Sequence, residues 1–364
     1  MRPAARTAGS PPPPGHDDPT RTSAMSLTVT LQPSGRRFQV HHRESVLAAA
    51  LRAGLSLNYS CSNGSCGECQ ARLLRGEVTR VRHYDYVFSE REKLAGHVLL
   101  CSVTPVTDID VVATAARGVE DIPVQRIPAR VARLQDLDAH TRLVHLKTPR
   151  TQTLRFLAGQ HVTLNIEGLT PRNKSIASCP CNARDLHFHV RRVPGDPLSE
   201  HVFGRMRTGD RVVVEGPWGV FTLDEDSDRP MILLAYETGF APLQSIIEHV
   251  IALARPQPLH LYWLVDRPGG HYLDNQVRAW VDALDNFFYH RLVAGPPSGR
   301  PLDRAGRAEA LRQAARQIGR DHPDLSPFDL YLCGPDSLTG PAVADLRAHG
   351  ADPERIFVDS LKRF

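Results

Sequence analysis

The sequence of 364 residues lacks the marks of several large protein classes. No apolar run approaches the roughly 20 residues that a membrane-spanning helix needs. Neither an H-E-x-x-H nor a G-x-S-x-G motif is present, so zinc proteases and serine hydrolases have no candidate residues. The net charge is only +4, and Lys and Arg are scattered along the sequence. They do not form the basic cluster that nucleic-acid binding requires. These four classes are therefore not indicated.

Cysteine is also sparse, since the chain has seven, an odd number, and no secretory apolar segment at its N-terminus. Both observations argue against a disulfide framework. They predict a reducing compartment, the cytoplasm, in which thiols bind metal or stay free. Cys179 and Cys181, in SCPC, are expected to be free, because C-x-C spacing alone is a weak redox signal.

Composition and periodicity divide the chain into four segments. Residues 1–24 are rich in Pro, Arg and small polar residues, which predicts a disordered tail, and Met25 is the expected alternative start of the folded protein. Residues 25–116 combine short strands, the helix pattern SVLAAALRAG and a cysteine loop, which predicts an α+β unit. Residues 117–228 contain many short strands, which predicts a β-barrel. Residues 229–364 alternate strands and helices, which predicts an α/β doubly wound parallel sheet.

The loop CSNGSCGEC, residues 61–69, has three cysteines with C-x4-C-x2-C spacing. A fourth follows 32 positions later, in the segment HVLLCSV, which is predicted to be one strand. This spacing predicts a plant-type [2Fe–2S] cluster, in which each iron takes two thiolates. Gly64 and Gly67 are expected to let backbone N–H groups approach the sulfides. The predicted iron ligands are Cys61, Cys66, Cys69 and Cys101.

Two other interpretations of the four cysteines stay open. A zinc site is one, although four-cysteine zinc sites usually consist of two C-x2-C pairs. Four buried free thiols are the other, although chance rarely gives this spacing. Residues 25 to 116 resemble the plant-type ferredoxin domain, with Ser62 at a position that is often basic in that family.

The later segments resemble the ferredoxin-NADP reductase superfamily. RNKSIAS, HVRRVPG and VVVEGPWGVF make residues 25–364 similar to NADH-dependent reductase components of bacterial oxygenases, above all to the CDP-6-deoxy-glucoseen reductase type. The resemblance implies three domains: a β-grasp ferredoxin domain, an antiparallel β-barrel flavin domain and a doubly wound nucleotide-binding domain.

The segment RNKSIAS corresponds to the family's flavin motif R-x-Y-S. There the Arg binds the pyrophosphate, the Tyr stacks on the flavin ring and the Ser bonds near N5, so the resemblance gives these positions to Arg172, Lys174 and Ser175. Lys174 replaces the tyrosine. The segment GDPLS is similar to a second phosphate-binding turn, G-G-x-x-S, with Ser199 retained and Asp196 in place of a glycine. The resemblance implies FAD rather than FMN, and a barrel strand with a surface arginine is the structural alternative.

The segment YETGFAP is similar to the family's dinucleotide turn G-G-T-G-x-A-P. Thr238 and Gly239 are retained, whereas Tyr236 and Glu237 replace the two glycines. A carboxylate about 5 Å from a phosphate charge costs about 3 kcal/mol at an effective dielectric constant near 20. The alternative is therefore an inherited scaffold that no longer binds dinucleotide.

Two strand ends complete the expected nicotinamide site. Asp266 resembles the ribose-binding carboxylate of dinucleotide folds and would repel a 2′-phosphate, which implies NADH, although Leu264 stands where the family has Gly. The segment LCGP matches a C-G-P motif that lies near the nicotinamide C4 in the family. Its residues are Cys333, Gly334 and Pro335. Ser175 and Cys333 are the expected catalytic residues.

The combined prediction is an electron-transfer enzyme in which NADH reduces flavin, the flavin reduces the cluster, and the cluster reduces a partner oxygenase or dehydratase. Four arginines near the cluster loop indicate an acidic partner surface: Arg72, Arg75, Arg80 and Arg82. The alternative is a non-enzymatic iron–sulfur carrier or assembly subunit with degenerate flavin and NAD sites. The replaced positions favour it: Lys174, Asp196, Tyr236, Glu237 and Leu264.

Overall fold

The computed structural model describes residues 26–116, 118–182, 184–295 and 302–361. Across these ranges, none of the helices combines the length and the apolar character that a bilayer crossing requires. The tail predicted over residues 1–24 lies outside the described residues. In the described residues, each of the three predicted segments contains one sheet of five or six strands, and the first segment also contains a two-stranded sheet. The segment boundaries themselves stay a prediction.

The first sheet is mixed, with strand order β2-β1-β7-β3-β5, and β4 pairs separately with β6. Helix α1 begins after Ser45, whose hydroxyl accepts a hydrogen bond from Ala48 N, and it buries an apolar face that joins the core of this sheet. The predicted β-grasp domain is confirmed. Its elements are β1 (Leu27–Gln32), β2 (Arg36–Val40), α1 (Val46–Arg52), β3 (Gln70–Arg75), β4 (Val78–Arg80), α2 (Glu90–Leu94), β5 (His97–Leu99), β6 (Val103–Pro105) and β7 (Ile109–Val112).

The segment HVLLCSV, predicted as one strand, is two. A turn closed by a hydrogen bond from Ser102 N to Leu99 O at 2.9 Å separates β5 from β6. The prediction was wrong because the apolar run is continuous in sequence, whereas the chain reverses within it. Cys101 lies in this turn, rather than in a strand.

The second sheet is antiparallel, with order β11-β10-β13-β8-β9-β12. A backbone hydrogen bond from Ala177 N to His187 O at 2.8 Å joins the segment after β11 to the other edge strand, so the sheet is nearly closed. This confirms the predicted barrel. Its elements are β8 (Gln125–Asp136), β9 (Thr141–Lys147), β10 (His161–Asn165), β11 (Arg172–Ser175), β12 (Asp185–Arg191), α3 (Pro197–Gly204) and β13 (Arg211–Trp218).

The third sheet is parallel, with order β16-β15-β14-β17-β18, as predicted. The strand order reverses between β14 and β17, and ligands of such sheets bind at the carboxyl ends of the strands at this point. The elements are β14 (Met231–Tyr236), α4 (Phe240–Ala252), β15 (Leu259–Val265), α5 (Asp274–Ala283), β16 (Phe287–Val293), α6 (Arg304–Asp321), β17 (Asp329–Pro335), α7 (Asp336–Arg347) and β18 (Ile356–Leu361).

Candidate functional site

The cysteine loop lies between α1 and β3, and the turn after β5 lies beside it. Leu100 N donates a hydrogen bond to Cys69 O at 3.1 Å, which places the adjacent Cys101 next to the loop. Three of the predicted ligands are buried, whereas Cys66 is exposed. The fold therefore brings together the four cysteines that the spacing singled out.

These four thiols form two pairs. Cys61 hydrogen bonds with Cys66, and Cys69 with Cys101. All four are described, and no three of their sulfur atoms lie mutually within 4.8 Å. In a four-cysteine zinc site each sulfur is about 2.3 Å from one ion, so all four lie within about 4 Å of one another. Two separate pairs fit the two irons of a [2Fe–2S] cluster better than a single zinc ion.

One thiol of each pair is favoured as a thiolate. Burial raises the pKa of Cys61, but hydrogen bonds from Ser65 and Asn63 outweigh it and lower the pKa to about 6. The hydrogen bond from Cys69 lowers the pKa of Cys101 to about 7. The pKa values of the partner thiols, Cys66 and Cys69, are raised, so each pair shares a proton. Because the thiolate is the form that binds metal, iron binding would displace this proton from each pair.

The two glycines of the loop allow aromatic side chains to approach it. Gly64 and Gly67 have φ angles of 89° and 81°, in the left-handed region. A Cβ at Gly64 would collide with Tyr84, and one at Gly67 would collide with the ring of Tyr86. The predicted approach of backbone N–H groups to the sulfides stays a prediction.

The flavin-motif residues lie on the edge strand β11. Arg172 and Lys174 are two residues apart and so share a face of the strand. Burial lowers the pKa of Lys174, Asp196 opposes this, and the Arg172 guanidinium lowers the pKa further. Two adjacent cations, one of them a planar fork, suit an anionic group such as the diphosphate of FAD.

Asp196, which departs from the family motif, caps helix α3. Its carboxylate accepts a hydrogen bond from Ser199 N at 2.8 Å and lies 3.7 Å from Arg172 Nε. The Ser199 hydroxyl is buried and accepts a hydrogen bond from Val193 N at 2.7 Å. The structure thus joins Arg172 and Ser199 through a carboxylate at a helix N-terminus, a position that also favours phosphate.

Glu237 fills the dinucleotide turn after β14. Its φ angle of 54° lies in the left-handed region, which suits the glycine that it replaces. The residue is 8% exposed, and its carboxylate forms an ion pair with Arg191 and accepts a hydrogen bond from Asp266 N at 2.7 Å. Burial raises its pKa, although Arg191 opposes this. The neighbouring Thr238 is half-buried.

Asp266 follows β15, and its carboxylate interacts with two side chains of the protein itself. It accepts a hydrogen bond from the Tyr236 hydroxyl and lies 3.2 Å from Arg307 Nε. Leu264 is buried two residues earlier, in the core between the sheet and α6. Ribose binding by Asp266 stays a prediction.

The retained glycines explain how β14 meets β17. A Cβ at Gly239 would collide with the carbonyl oxygen of Cys333, and one at Gly334 would lie 3.3 Å from Tyr236 Cβ. Pro335 ends β17, directly before α7. Close backbone contact, rather than left-handed geometry, therefore requires glycine at position 239.

Asp359 joins the flavin motif to the nicotinamide motif. Strand register places it beside Cys333, whose thiol donates to Asp359 Oδ2 at 3.6 Å. The Ser175 hydroxyl donates to the same oxygen at 3.3 Å. Burial, and then the charge of Asp359, raises the pKa of Cys333, which keeps it a thiol.

Sequence reasoning missed Asp359, Arg191 and Arg307. Asp359 had a usable signal, because it lies near the carboxyl end of the final parallel strand, where doubly wound sheets bind ligands. Arg191 lies in HVRRVPG, one of the segments that carry the resemblance, whereas Arg307 lies in no motif. No sequence pattern signals the ion pair of either residue.

Cys179 and Cys181 correct one expectation. They were expected to be free, but the structure pairs them as a disulfide. A 3-10 turn over Pro180–Asn182 brings their Cα atoms to 5.1 Å, within the usual range for a disulfide. The spacing did not reveal this turn.

Two domain families match the chain. The 2Fe-2S iron-sulfur cluster binding domain matches residues 29–106, and the oxidoreductase FAD-binding domain matches residues 128–223. The first contains all four paired cysteines, and the second contains the flavin motif. Both cofactors predicted for these segments are thereby confirmed.

Several relatives match this chain over most of their length and most of its own. CDP-6-deoxy-L-threo-D-glycero-4-hexulose-3-dehydrase reductase of Yersinia pestis is 30% identical over 338 residues, 93% of this chain and 99% of that protein. Reductase component 1 of terephthalate 1,2-dioxygenase from Comamonas is 29% identical, over 86% of this chain and 91% of that protein. The crystal structure of an Amycolatopsis cytochrome P450 reductase is 29% identical with a TM-score of 0.58, covering 93% of this chain and 99% of that one.

Proposed function

Because the chain belongs to the family of reductases that combine a [2Fe–2S] ferredoxin domain with an FAD-binding oxidoreductase domain, we propose that it passes electrons from NADH through FAD to the cluster and on to a partner enzyme. When bound, FAD links a two-electron hydride donor to a one-electron carrier. The relatives serve oxygenases and a dehydrase, which makes an oxygenase or dehydratase the proposed acceptor.

The convergence of Ser175 and Cys333 on Asp359 carries this proposal. One carboxylate oxygen accepts from the hydroxyl of the flavin motif and from the thiol of the nicotinamide motif, at 3.3 and 3.6 Å. Two motifs about 160 positions apart thereby share one small region at the strand ends, where reacting groups must be held close together. Asp359 acts as a positioning residue for both.

The remaining residues have proposed roles that follow from their placement. Arg172 and Lys174 bind the flavin diphosphate, with Ser199 ordering the adjacent turn, while Thr238 and Gly239 border the dinucleotide. The four paired cysteines hold the iron: Cys61, Cys66, Cys69 and Cys101. We also propose the domain boundaries 25–116, 117–228 and 229–364, and a cytoplasmic location.

The first test is anaerobic titration of the full-length protein with NADH, followed by visible spectroscopy. We expect flavin bleaching and then cluster reduction. Asp359→Asn should slow flavin bleaching by about tenfold or more, because small misplacements of reacting groups cost at least that much. Asp352→Asn, an exposed aspartate on the loop before β18, is the matched control and should leave the rate unchanged.

A non-enzymatic iron–sulfur carrier is the second candidate function. The ion pairs of Glu237 with Arg191 and of Asp196 with Arg172 favour it, because carboxylates of the chain itself occupy both phosphate-binding positions. A protein whose spectrum shows only the cluster, and that NADH leaves unchanged, would establish the carrier and overturn the enzyme.

We propose that the partner presents an acidic surface near the cluster. Arg80 lies over the Tyr84 ring at 4.6 Å, and Arg82 donates a hydrogen bond to Ser62 O in the cysteine loop. Arg72 and Arg75 are exposed on β3, where Arg75 forms an ion pair with Asp110. Arg82, in contact with the cysteine loop, and the nearby Arg80 would steer an acidic protein toward the cluster.

A further inference from the structure

A second group of metal-ligating side chains lies apart from the cluster and the dinucleotide turn. Among the described residues, Cys179, Cys181 and His249 are the one group of three whose ligand atoms all lie within 4.8 Å of one another. His249 Nδ1 is 3.8 Å from Cys179 Sγ and 3.9 Å from Cys181 Sγ. The side chains come from the 3-10 turn after β11 and from helix α4, so the tertiary fold creates the group.

The histidine is oriented as a metal ligand would be. His249 Nε2 lies 2.9 Å from Glu225 Oε1, and Arg36 Nη1 holds the other oxygen of Glu225 at 2.7 Å. Because a carboxylate only accepts, Nε2 carries the proton and Nδ1 presents its lone pair to the two sulfurs. A carboxylate that orients a histidine in this way is the usual second layer of zinc sites.

The surroundings leave one coordination position open. His249 is 2% exposed and Cys179 is 8% exposed, so solvent has little access to the group from most directions. A cavity of about 20 Å³, lined in part by Cys181 and His249, adjoins it. A cavity of this size holds about one water molecule, which could serve as a fourth ligand.

We propose that Cys179, Cys181 and His249 bind one Zn²⁺ when the two thiols are reduced. Two thiolates, one imidazole and one water match the donor set of open tetrahedral zinc sites. The disulfide form lacks the thiolates and so excludes the metal. A dithiol supplies two electrons and two protons to break the S–S bond and becomes a disulfide itself, and zinc binding then releases two protons to solvent.

The three side chains lie where helix α4 contacts the ferredoxin domain. An added Cβ at Gly54, in the ferredoxin domain, would lie 3.4 Å from His249 Cε1 and 2.8 Å from Leu253 Cδ2. Helix α4 thus packs directly against the ferredoxin domain at the metal site. Zinc bound to the folded state alone would stabilise this contact and raise the Tm of the reduced protein.

The test measures zinc retained by the full-length protein with its flavin and cluster. The protein is reduced anaerobically with a phosphine, which becomes a phosphine oxide, then mixed with Zn²⁺, desalted and analysed for zinc and iron. We expect about one zinc per chain with unchanged iron, and little zinc without reduction. Cys181→Ser should lose this zinc, whereas Cys333→Ser, which removes a buried free thiol elsewhere, should retain it.

Several outcomes would overturn the proposal. The proposal fails if the reduced wild type retains no zinc, or if Cys181→Ser retains as much as the wild type. It also fails if the oxidised form retains zinc, or if zinc enters only as iron is lost. If Cys181→Ser fails to fold, X-ray absorption at the zinc edge of the wild type decides. We expect two sulfurs at about 2.3 Å and one nitrogen at about 2.0 Å, and a shell without sulfur contradicts the site.

Discussion

At the scale of single residues, two carboxylates stand where the phosphate-binding motifs of the family have glycine. Glu237 pairs with Arg191, and Asp196 lies near Arg172. At the dinucleotide site proposed for this turn, the diphosphate would compete with Glu237 for Arg191. The ion pair is mostly buried, so its charges are only weakly screened by solvent. Removing the carboxylate alone would free the arginine for the cofactor.

Glu237→Gly is therefore expected to lower the KM for NADH by about tenfold or more. The physical reason is the loss of a repulsion of about 3 kcal/mol at 5 Å and an effective dielectric constant near 20. Glycine also accepts the φ angle of 54° without strain. Steady-state assays with ferricyanide as the acceptor measure the effect. Glu237→Gln, which keeps the size and removes the charge, should show part of the gain, and an unchanged KM in both variants would refute the competition.

The same carboxyl group predicts a pH dependence. Because burial raises the pKa of Glu237, protonation begins at a higher pH than for an exposed glutamate. The protonated form is neutral and does not repel phosphate, so the KM for NADH should fall as the pH is lowered toward the range in which Glu237 becomes protonated, which lies above that of an exposed glutamate. In Glu237→Gln this dependence should disappear. A parallel pH profile in that variant would assign the titration to another group.

The role of a residue could be predicted from the sequence where a short motif determines the chemistry. The spacing of Cys61, Cys66 and Cys69 predicts the iron ligands, since one loop must wrap a cluster. The partners Arg191 and Arg307 were not predictable, because each comes from a distant element and its pairing depends on how the elements pack. Glu237 looked like an uncompensated charge in sequence, and only the fold shows its cation.

At the scale of elements, the turn from β14 to α4 is fixed by its neighbour β17. The two strands are in parallel register, with Ala235 opposite Cys333, so neither can shift without breaking the ladder. Gly239 then passes against the backbone of Cys333. The sequence motif predicted a glycine here for cofactor contact, whereas the structure shows that strand packing alone requires it.

Gly239→Ala should destabilise the protein by about 1–3 kcal/mol, because the added methyl group overpacks against a carbonyl that cannot move. Thermal unfolding monitored by flavin fluorescence measures the effect, which should appear as a lower Tm. Gly340→Ala is the matched control, since a Cβ in that exposed position of α7 meets no atom within 4 Å. It should leave the Tm unchanged or raise it slightly. Equal effects of the two substitutions would contradict the packing argument.

At the scale of the whole molecule, the ferredoxin and flavin domains are joined beside the cluster loop. Arg155 Nη2 donates to Asn58 Oδ1 at 2.6 Å, and the Thr153 hydroxyl donates to Ser60 O at 2.9 Å. Ser60 directly precedes Cys61. These contacts hold the buried side of the loop against the barrel, the domain that binds FAD.

Arg155→Ala should slow electron transfer from flavin to cluster while NADH reduces the flavin at the normal rate. A small displacement of donor and acceptor is enough to change the rate on the order of tenfold. Anaerobic stopped-flow spectroscopy resolves the two phases. Arg150→Ala removes an exposed arginine of the same segment and should change neither phase. A slower first phase in Arg155→Ala would show a defect in the flavin site instead.

The exposure of Cys66 indicates the side of the cluster loop on which electrons would leave for an acceptor. The Cys61 side of the cluster loop is covered by the barrel, whereas Cys66 borders an open cavity of about 320 Å³ that also includes Glu68 and Tyr86. A docked acceptor protein and dissolved oxygen would both approach the reduced cluster through this opening, and the first to arrive would accept the electron. Occupancy by the proper acceptor would thus shield the iron from oxidative damage, and idle enzyme would be the form that decays in air.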